Sequence, residues 1–200
     1  MRKQTTKVLE KPSNGGKHCQ KAWRKVSALV VDHGFKDPRL YHLVLKGEKD
    51  NQFQSVMPYQ KALKAICRKL TLENIKYHWR ACAEQDEEKG LHFHVFILAE
   101  SKYFNSCGVI NTTKAAFLTT LLTAHKMKFY LAPPKAAMHR NHEGKQLNYA
   151  TLAGAKLDDC IERLSYLVKA RSKPLDMRTI YFSSRVPRRT APAEPALTIG

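Results

Sequence analysis

The run Leu91-His92-Phe93-His94-Val95-Phe96-Ile97 constrains the fold of this chain more than any other segment. Leu91 to Ala99 reads as a strand, and side chains along a strand alternate between its two faces. His92 and His94 therefore point one way, and Phe93 and Val95 the other. The apolar side calls for a covering layer of helices. The histidine side is left for a ligand. Two imidazoles two residues apart on one face can hold a single divalent ion; the plainer alternative is a pair of surface or half-buried histidines that bind nothing.

A third ligand comes from the strand before. Ile75 to Glu84 reads as a strand joined to Leu91–Ala99 by a short acidic turn ending in Gly90. Pairing Glu84 with His92 leaves Glu87-Glu88-Lys89 as a three-residue tip, with Gly90 placed to take a positive φ. Glu84 then shares the histidine face. One bulge would hand that position to Gln85 instead. A solvated acid near a turn is the competing reading of Glu84. Two imidazoles and one carboxylate leave open positions for a phosphate oxygen and water. Mg²⁺ prefers oxygen ligands, while Mn²⁺ accepts imidazole more readily.

Around this hairpin the pattern alternates. Leu40 to Lys46 reads as a strand. Pro58 sits at a helix N1 position, and Tyr59, Leu63, Ile66, Cys67 and Leu70 follow at helical spacing. Thr112 to His125 reads as a helix, Met127 to Leu131 as a strand stopped by Pro133-Pro134, Glu143 to Arg171 as a long helix, and Thr179 to Ser183 as a last strand. This is the split βαβ order. The expected class is α+β, an antiparallel sheet of about five strands with helices on one face, in a ferredoxin-like arrangement. Residues 1–35 read as a basic flexible arm with a short helix around Cys19 to Val30. Residues 36–185 form the domain, and 186–200 a disordered tail rich in Arg, Pro and Ala.

On the last helix, Leu157, Ile161, Leu164 and Val168 form a core stripe. At about 100° per residue Tyr166 falls almost opposite that stripe, and Lys169 shares its face. A surface tyrosine beside a surface lysine is the bland reading. The chemical reading places this face over the open side of the sheet, next to the histidines. A metal ion there withdraws charge from a phosphodiester as a Lewis acid. A free tyrosine has a pKa of about 10, and a nearby cation such as Lys169 favours its phenolate. Attack on phosphorus would give a 5′-phosphotyrosyl link and free a 3′-hydroxyl, a covalent route that splits one step into two.

Charge narrows the partner. Thirty-five Lys and Arg against seventeen Asp and Glu leave a net charge of +18. Such a surplus points to a polyanion, with nucleic acid the first choice. Arg163, Arg171, Lys173, Arg178 and Arg185 are candidate phosphate contacts, and the basic flank continues through Arg188 and Arg189. Tyr41, Trp79 and Phe96 are candidate base stackers, although core packing is the commoner use of each. His33, His42, His78, His125, His139 and His142 lack partners at ligand spacing and read as non-ligands. Five scattered cysteines form no CxxC pair, which suits a reducing compartment. No apolar run spans a bilayer and no secretory leader is evident, so a cytoplasmic protein away from membranes is expected. No GxxxxGK[ST] loop is present.

Together these residues resemble the HUH endonuclease superfamily, named for its histidine–hydrophobic–histidine motif. The histidine pair precedes the tyrosine by about seventy residues, as in replication initiators. Plasmid relaxases usually reverse that order and use three histidines. The likeness is strongest to the replication initiators of filamentous phages (inoviruses) and related prophages. It runs from about Leu40 to Arg185, through Ala83-Glu84-Gln85-Asp86, Leu91 to Leu98, Leu164-Ser165-Tyr166-Leu167-Val168-Lys169-Ala170, Lys173 and Phe182-Ser183-Ser184-Arg185. The resemblance implies Tyr166 as nucleophile, His92 and His94 as metal ligands and Lys169 in support. It implies nicking of a single-stranded origin in rolling-circle replication, within a bacterial host whose helicase and polymerase would supply unwinding and synthesis. Some initiators carry two tyrosines on one helix; here Tyr149 stands seventeen residues before Tyr166. A one-tyrosine cycle finished by a second subunit or water is therefore implied. Two alternatives stay open: a single-strand HUH transposase, and a non-catalytic basic domain that binds nucleic acid through its sheet.

Overall fold

The computed structural model describes Trp23 and residues 26–31, 33–47, 55–86, 90–100, 123–124, 126–132, 143–144, 147, 149–154, 156–168 and 181–184. Among these, six strands form one antiparallel sheet: β1 (Pro38–Gly47), β2 (Tyr77–Asp86), β3 (Gly90–Glu100), β4 (Met127–Leu131), β5 (Ala150–Thr151) and β6 (Tyr181–Ser183). Their order is β4-β1-β3-β2-β6, and β5 lies on β1 beside Arg39 and Leu40. Helix α1 (Met57–Leu72) joins β1 to β2. Helix α2 (Lys156–Ser165) runs into a 3₁₀ turn at Tyr166–Val168. The α+β class and the antiparallel sheet are as expected, with one strand more than the five anticipated.

Helix α1 begins with Pro58 in its first turn, where the missing N–H has no helical acceptor to lose. Its buried residues are Tyr59, Ala62, Leu63, Ile66 and Leu70, a stripe at i, i+3, i+4, i+7 and i+11. The stripe packs on Tyr41, Leu43 and Leu45 of β1, Ala81 and Ala83 of β2, and Phe93, Val95 and Ile97 of β3. Phe93 stacks on Tyr59 with ring centroids 4.7 Å apart. The Tyr59 hydroxyl donates to the Leu91 carbonyl and accepts from the Gly47 amide. Burial pushes this phenol up to about 12, so it serves the fold as a neutral donor. Tyr41, which is core, and Phe96, which is wholly buried, are thus not base stackers.

The opposite face carries a second core. Leu40, Cys82, Phe96 and Leu98 from the sheet meet Cys160 and Leu164 of α2, then Leu167 and Val168 of the 3₁₀ turn. Trp23, Val26, Leu29 and Val30 complete it. The forecast short helix is present at Trp23 and residues 26–31, but it is not part of a free arm. Trp23 is 2% exposed and Leu29 fully buried, so the domain starts before residue 36. Helices therefore cover this face where Phe96 and Leu98 lie. His92, His94 and Glu84 occupy the other half, toward the β2–β3 turn.

The long helix expected over 143–171 is shorter. Ala150 and Thr151 are extended and pair with β1. Gly144 and Gly154 have positive φ (76° and 55°), which breaks a right-handed helix. Helix α2 starts only after Gly154, whose carbonyl accepts from the Leu157 amide. The stripe Leu157, Ile161, Leu164 and Val168 does face the second core. The tighter 3₁₀ turn changes the angular phase after Ser165, and Leu167 is buried too. The 100°-per-residue placement of Tyr166 therefore does not carry across that turn. The helix expected over Thr112–His125 lies almost wholly outside the described residues, as does the tail 186–200.

Candidate metal centre

Hairpin register decides which side chains meet. Every residue from Tyr77 to Asp86 on β2 pairs one-to-one with Ala99 to Gly90 on β3, including Glu84 with His92 and Cys82 with His94. Gly90 closes the turn with φ +63°, a left-handed conformation that a side chain would resist. No bulge interrupts this ladder. Gln85 consequently opposes Leu91, on the other face, and the carboxylate of Glu84 joins the histidines.

Glu84, His92 and His94 form a group that could hold a metal ion, their ligand atoms all within 4.8 Å of one another. Glu84 Oε2 lies 3.2 Å from His94 Nε2 and 3.8 Å from His92 Nε2. Bonds of about 2.1 Å at tetrahedral or octahedral angles separate ligand atoms by about 3.0–3.4 Å. The Glu84–His94 separation is thus at coordination distance and the Glu84–His92 separation a little beyond it. Burial is graded: His92 is 2% exposed, Glu84 13% and His94 17%. An ion held here would be sheltered on one side and reachable on the other. The donor set, two nitrogens and a carboxylate, suits several divalent ions.

The two imidazoles are prepared differently. His92 Nδ1 lies 3.0 Å from the Gly90 carbonyl. A carbonyl only accepts, so Nδ1 donates to it, and Nε2, the atom that faces Glu84, is the one that could ligate. This is the usual outer support of a metal-bound histidine. His94 Nδ1 instead lies 2.9 Å from Nε2 of His42, a β1 residue. The His42 ring stacks on Phe96, centroids 4.1 Å apart. Its Nδ1 is 3.4 Å from a guanidinium nitrogen of Arg163 on α2, which also donates to the Ala132 carbonyl at 3.0 Å. Burial first, then the neighbouring His94 and Arg163, holds the His42 pKa well below the usual imidazole value. His42 therefore stays neutral.

The spacing reads His42 as a non-ligand and does not disclose its contact with the candidate ligand His94. Its alternation with Val44 and Lys46 on β1 was readable. That Val44 would oppose His94, and His42 Phe96, was not. Arg163 is also more than a surface cation, since its half-buried guanidinium joins α2 to β1 and to the residue after β4. Tyr166 opens the 3₁₀ turn directly after α2. Its neighbours Leu164, Leu167 and Val168 share the second core with Cys82 and Phe96, the residues two along from Glu84 and His94 on the same face. The Tyr166 phenol, Lys169, Arg171, Lys173, Arg178 and Arg185 lie outside the described residues.

Among the described residues no helix is long and apolar enough to cross a membrane. The chain matches no family model, no curated protein and no solved structure.

Proposed function

We propose that this protein is a metal-dependent HUH-type endonuclease that nicks single-stranded DNA through Tyr166, as a replication initiator does. One observation carries the reading: helix α2, which runs directly into Tyr166, is tied through Arg163 and His42 to His94 of the candidate metal site. Arg163 stands three residues before Tyr166. Leu167 and Val168, which follow Tyr166, pack on Cys82 and Phe96 of the sheet face that carries Glu84 and His94, which supports Tyr166 as the nucleophile.

Glu84, His92 and His94 would hold Mg²⁺ or Mn²⁺, which would draw charge from the oxygens of the scissile phosphate. Tyr166 Oη forms a bond to phosphorus, the bond from phosphorus to the 3′-oxygen breaks, the phenol gives up its proton and the 3′-oxygen gains one. Lys169 steadies the phenolate as that charge develops. The new phosphotyrosyl ester retains the energy of the broken one, so a later strand can be rejoined without a nucleotide cofactor. The net charge of +18 supports a polyanionic substrate, with Arg171, Lys173, Arg178 and Arg185 as phosphate contacts. A host helicase and polymerase would complete rolling-circle replication.

The test is incubation with Mn²⁺ and origin-like single-stranded oligonucleotides. Nicked product with a free 3′-hydroxyl is expected from the wild type and not from His92→Ala or His94→Ala. Tight binding with no nicking of any tested origin would instead identify a basic binding domain.

A further inference from the structure

The hydrogen bonds around His94 have a direction, and that direction opposes metal binding. A guanidinium only donates, so in the Arg163 contact His42 Nδ1 must accept. With Nδ1 accepting, the ring proton of His42 sits on Nε2 and is donated to His94 Nδ1 at 2.9 Å. His94, accepting at Nδ1, carries its own proton on Nε2, pointed at Glu84 Oε2 at 3.2 Å. Donors and acceptors thus alternate without conflict from Arg163 through His42 and His94 to Glu84. In this arrangement each donor in the chain meets an acceptor.

A ligating His94 needs the reverse. Its Nε2 must offer a lone pair, so its proton must sit on Nδ1 and be donated to His42 Nε2. His42 must then carry its proton on Nδ1, where it faces the guanidinium of Arg163. Two donors cannot share that contact, and the Arg163–His42 link has to open. Each histidine keeps one proton throughout; only the ring nitrogen that bears it changes. His92 needs no such change, because the Gly90 carbonyl has already set its tautomer.

We propose that His42 is a tautomeric relay that couples cation loading at His94 to opening of the Arg163–His42 contact, while Arg163 keeps its bond to the Ala132 carbonyl. This rests on reading Glu84, His92 and His94 as a metal site. His42 and Arg163 are positioning residues in it, not ligands. The relay makes the unloaded arrangement self-satisfied, and it makes the contact between α2 and β1 respond to whether the cation is present.

Histidine tautomers are read directly by long-range ¹H–¹⁵N correlation spectra, with Zn²⁺ as a diamagnetic probe. In the free protein His42 and His94 are expected as Nε2–H forms and His92 as the Nδ1–H form. On adding Zn²⁺, His92 and His94 should show metal-bound Nε2 shifts, and His42 should convert to Nδ1–H. Zn²⁺ bound at His92 and His94 with His42 unchanged would overturn the relay alone. No Zn²⁺-dependent change at His92 and His94 would remove the metal site, and the relay with it. Calorimetric titration with Mn²⁺ gives the second arm. Arg163→Leu should tighten Mn²⁺ binding about three- to tenfold, because a competing hydrogen bond is gone. In a His42→Phe background, where the ring can still stack on Phe96, the same Arg163 substitution should change nothing. A folded Arg163→Leu protein with unchanged or weaker Mn²⁺ affinity contradicts the relay. The tautomer spectra of the wild type decide the matter if that variant does not fold.

Discussion

Glu84 stands directly opposite His92 across the β2–β3 hairpin, and both side chains lie on the face that also carries His94. That pairing, rather than proximity in sequence, brings a carboxylate and a histidine eight residues apart into one group with His94 that could hold a metal ion. It separates Glu84 from Gln85 cleanly. Mn²⁺ at about a hundred times its Kd should stabilise the folded wild type by about 2.7 kcal/mol. Glu84→Ala, His92→Ala and His94→Ala should lose most of that gain in thermal denaturation, and EDTA should reverse it. Gln85→Ala should keep it.

Gly90 is the residue that lets this pairing close. Its φ of +63° is left-handed, where an added Cβ costs about 1–2 kcal/mol. Gly90→Ala should lower stability by about that much in urea titration. It should also weaken Mn²⁺ binding, because the Gly90 carbonyl orients His92. An unchanged metal affinity would show that the turn does not position the ligand.

The N-terminal helix is a structural part of the domain. Trp23 is buried against the second core, and its indole N–H has no hydrogen-bond partner among the described residues. Trp23→Ala should cost about 3–5 kcal/mol by leaving a cavity. Trp23→Phe should cost clearly less, since no hydrogen bond is lost. Chemical denaturation of the two variants distinguishes a core residue from one on a free arm.

How far the sequence disclosed these features depended on the range of the contact. The Glu84–His92 register was legible because the strand period is two, the loop is three residues and a glycine sat where a left-handed turn was needed. All of that information is local. The His42–His94 contact was not legible, because it depends on how β1 slides against β3, and nothing within either strand announces that register. Apolar spacing alone carries helix α2 back through Gly154, whereas Gly154 has a positive φ and Ala150 and Thr151 pair with β1. The apolar side of the first helix, Trp23, Val26, Leu29 and Val30, was present in the sequence but set among basic residues that suggested an arm.

His78 supplies a pH signature separate from the metal centre. Burial, reinforced by Arg80, holds its pKa below the ordinary 6.5, against an opposing hydrogen bond to the His33 carbonyl. The unfolded chain therefore binds a proton at this site more readily than the folded one. The contribution of His78 to stability is flat above about pH 6.5 and falls as pH drops through that value toward the folded pKa. Urea midpoints measured between about pH 5 and 8 should show this decline, to which buried His42 adds, and His78→Gln should make it shallower.

The proposed nicking reaction requires Tyr166 and the Glu84–His92–His94 cluster to act on a single phosphate. Its most direct measurement is a denaturing gel of protein incubated with Mn²⁺ and labelled single-stranded origin DNA, with peptide mass spectrometry of any shifted band. A denaturation-resistant adduct whose nucleotide is attached at Tyr166, and which disappears in Tyr166→Phe, is the predicted result. An adduct that survives in Tyr166→Phe, or one mapped to another residue, would contradict it.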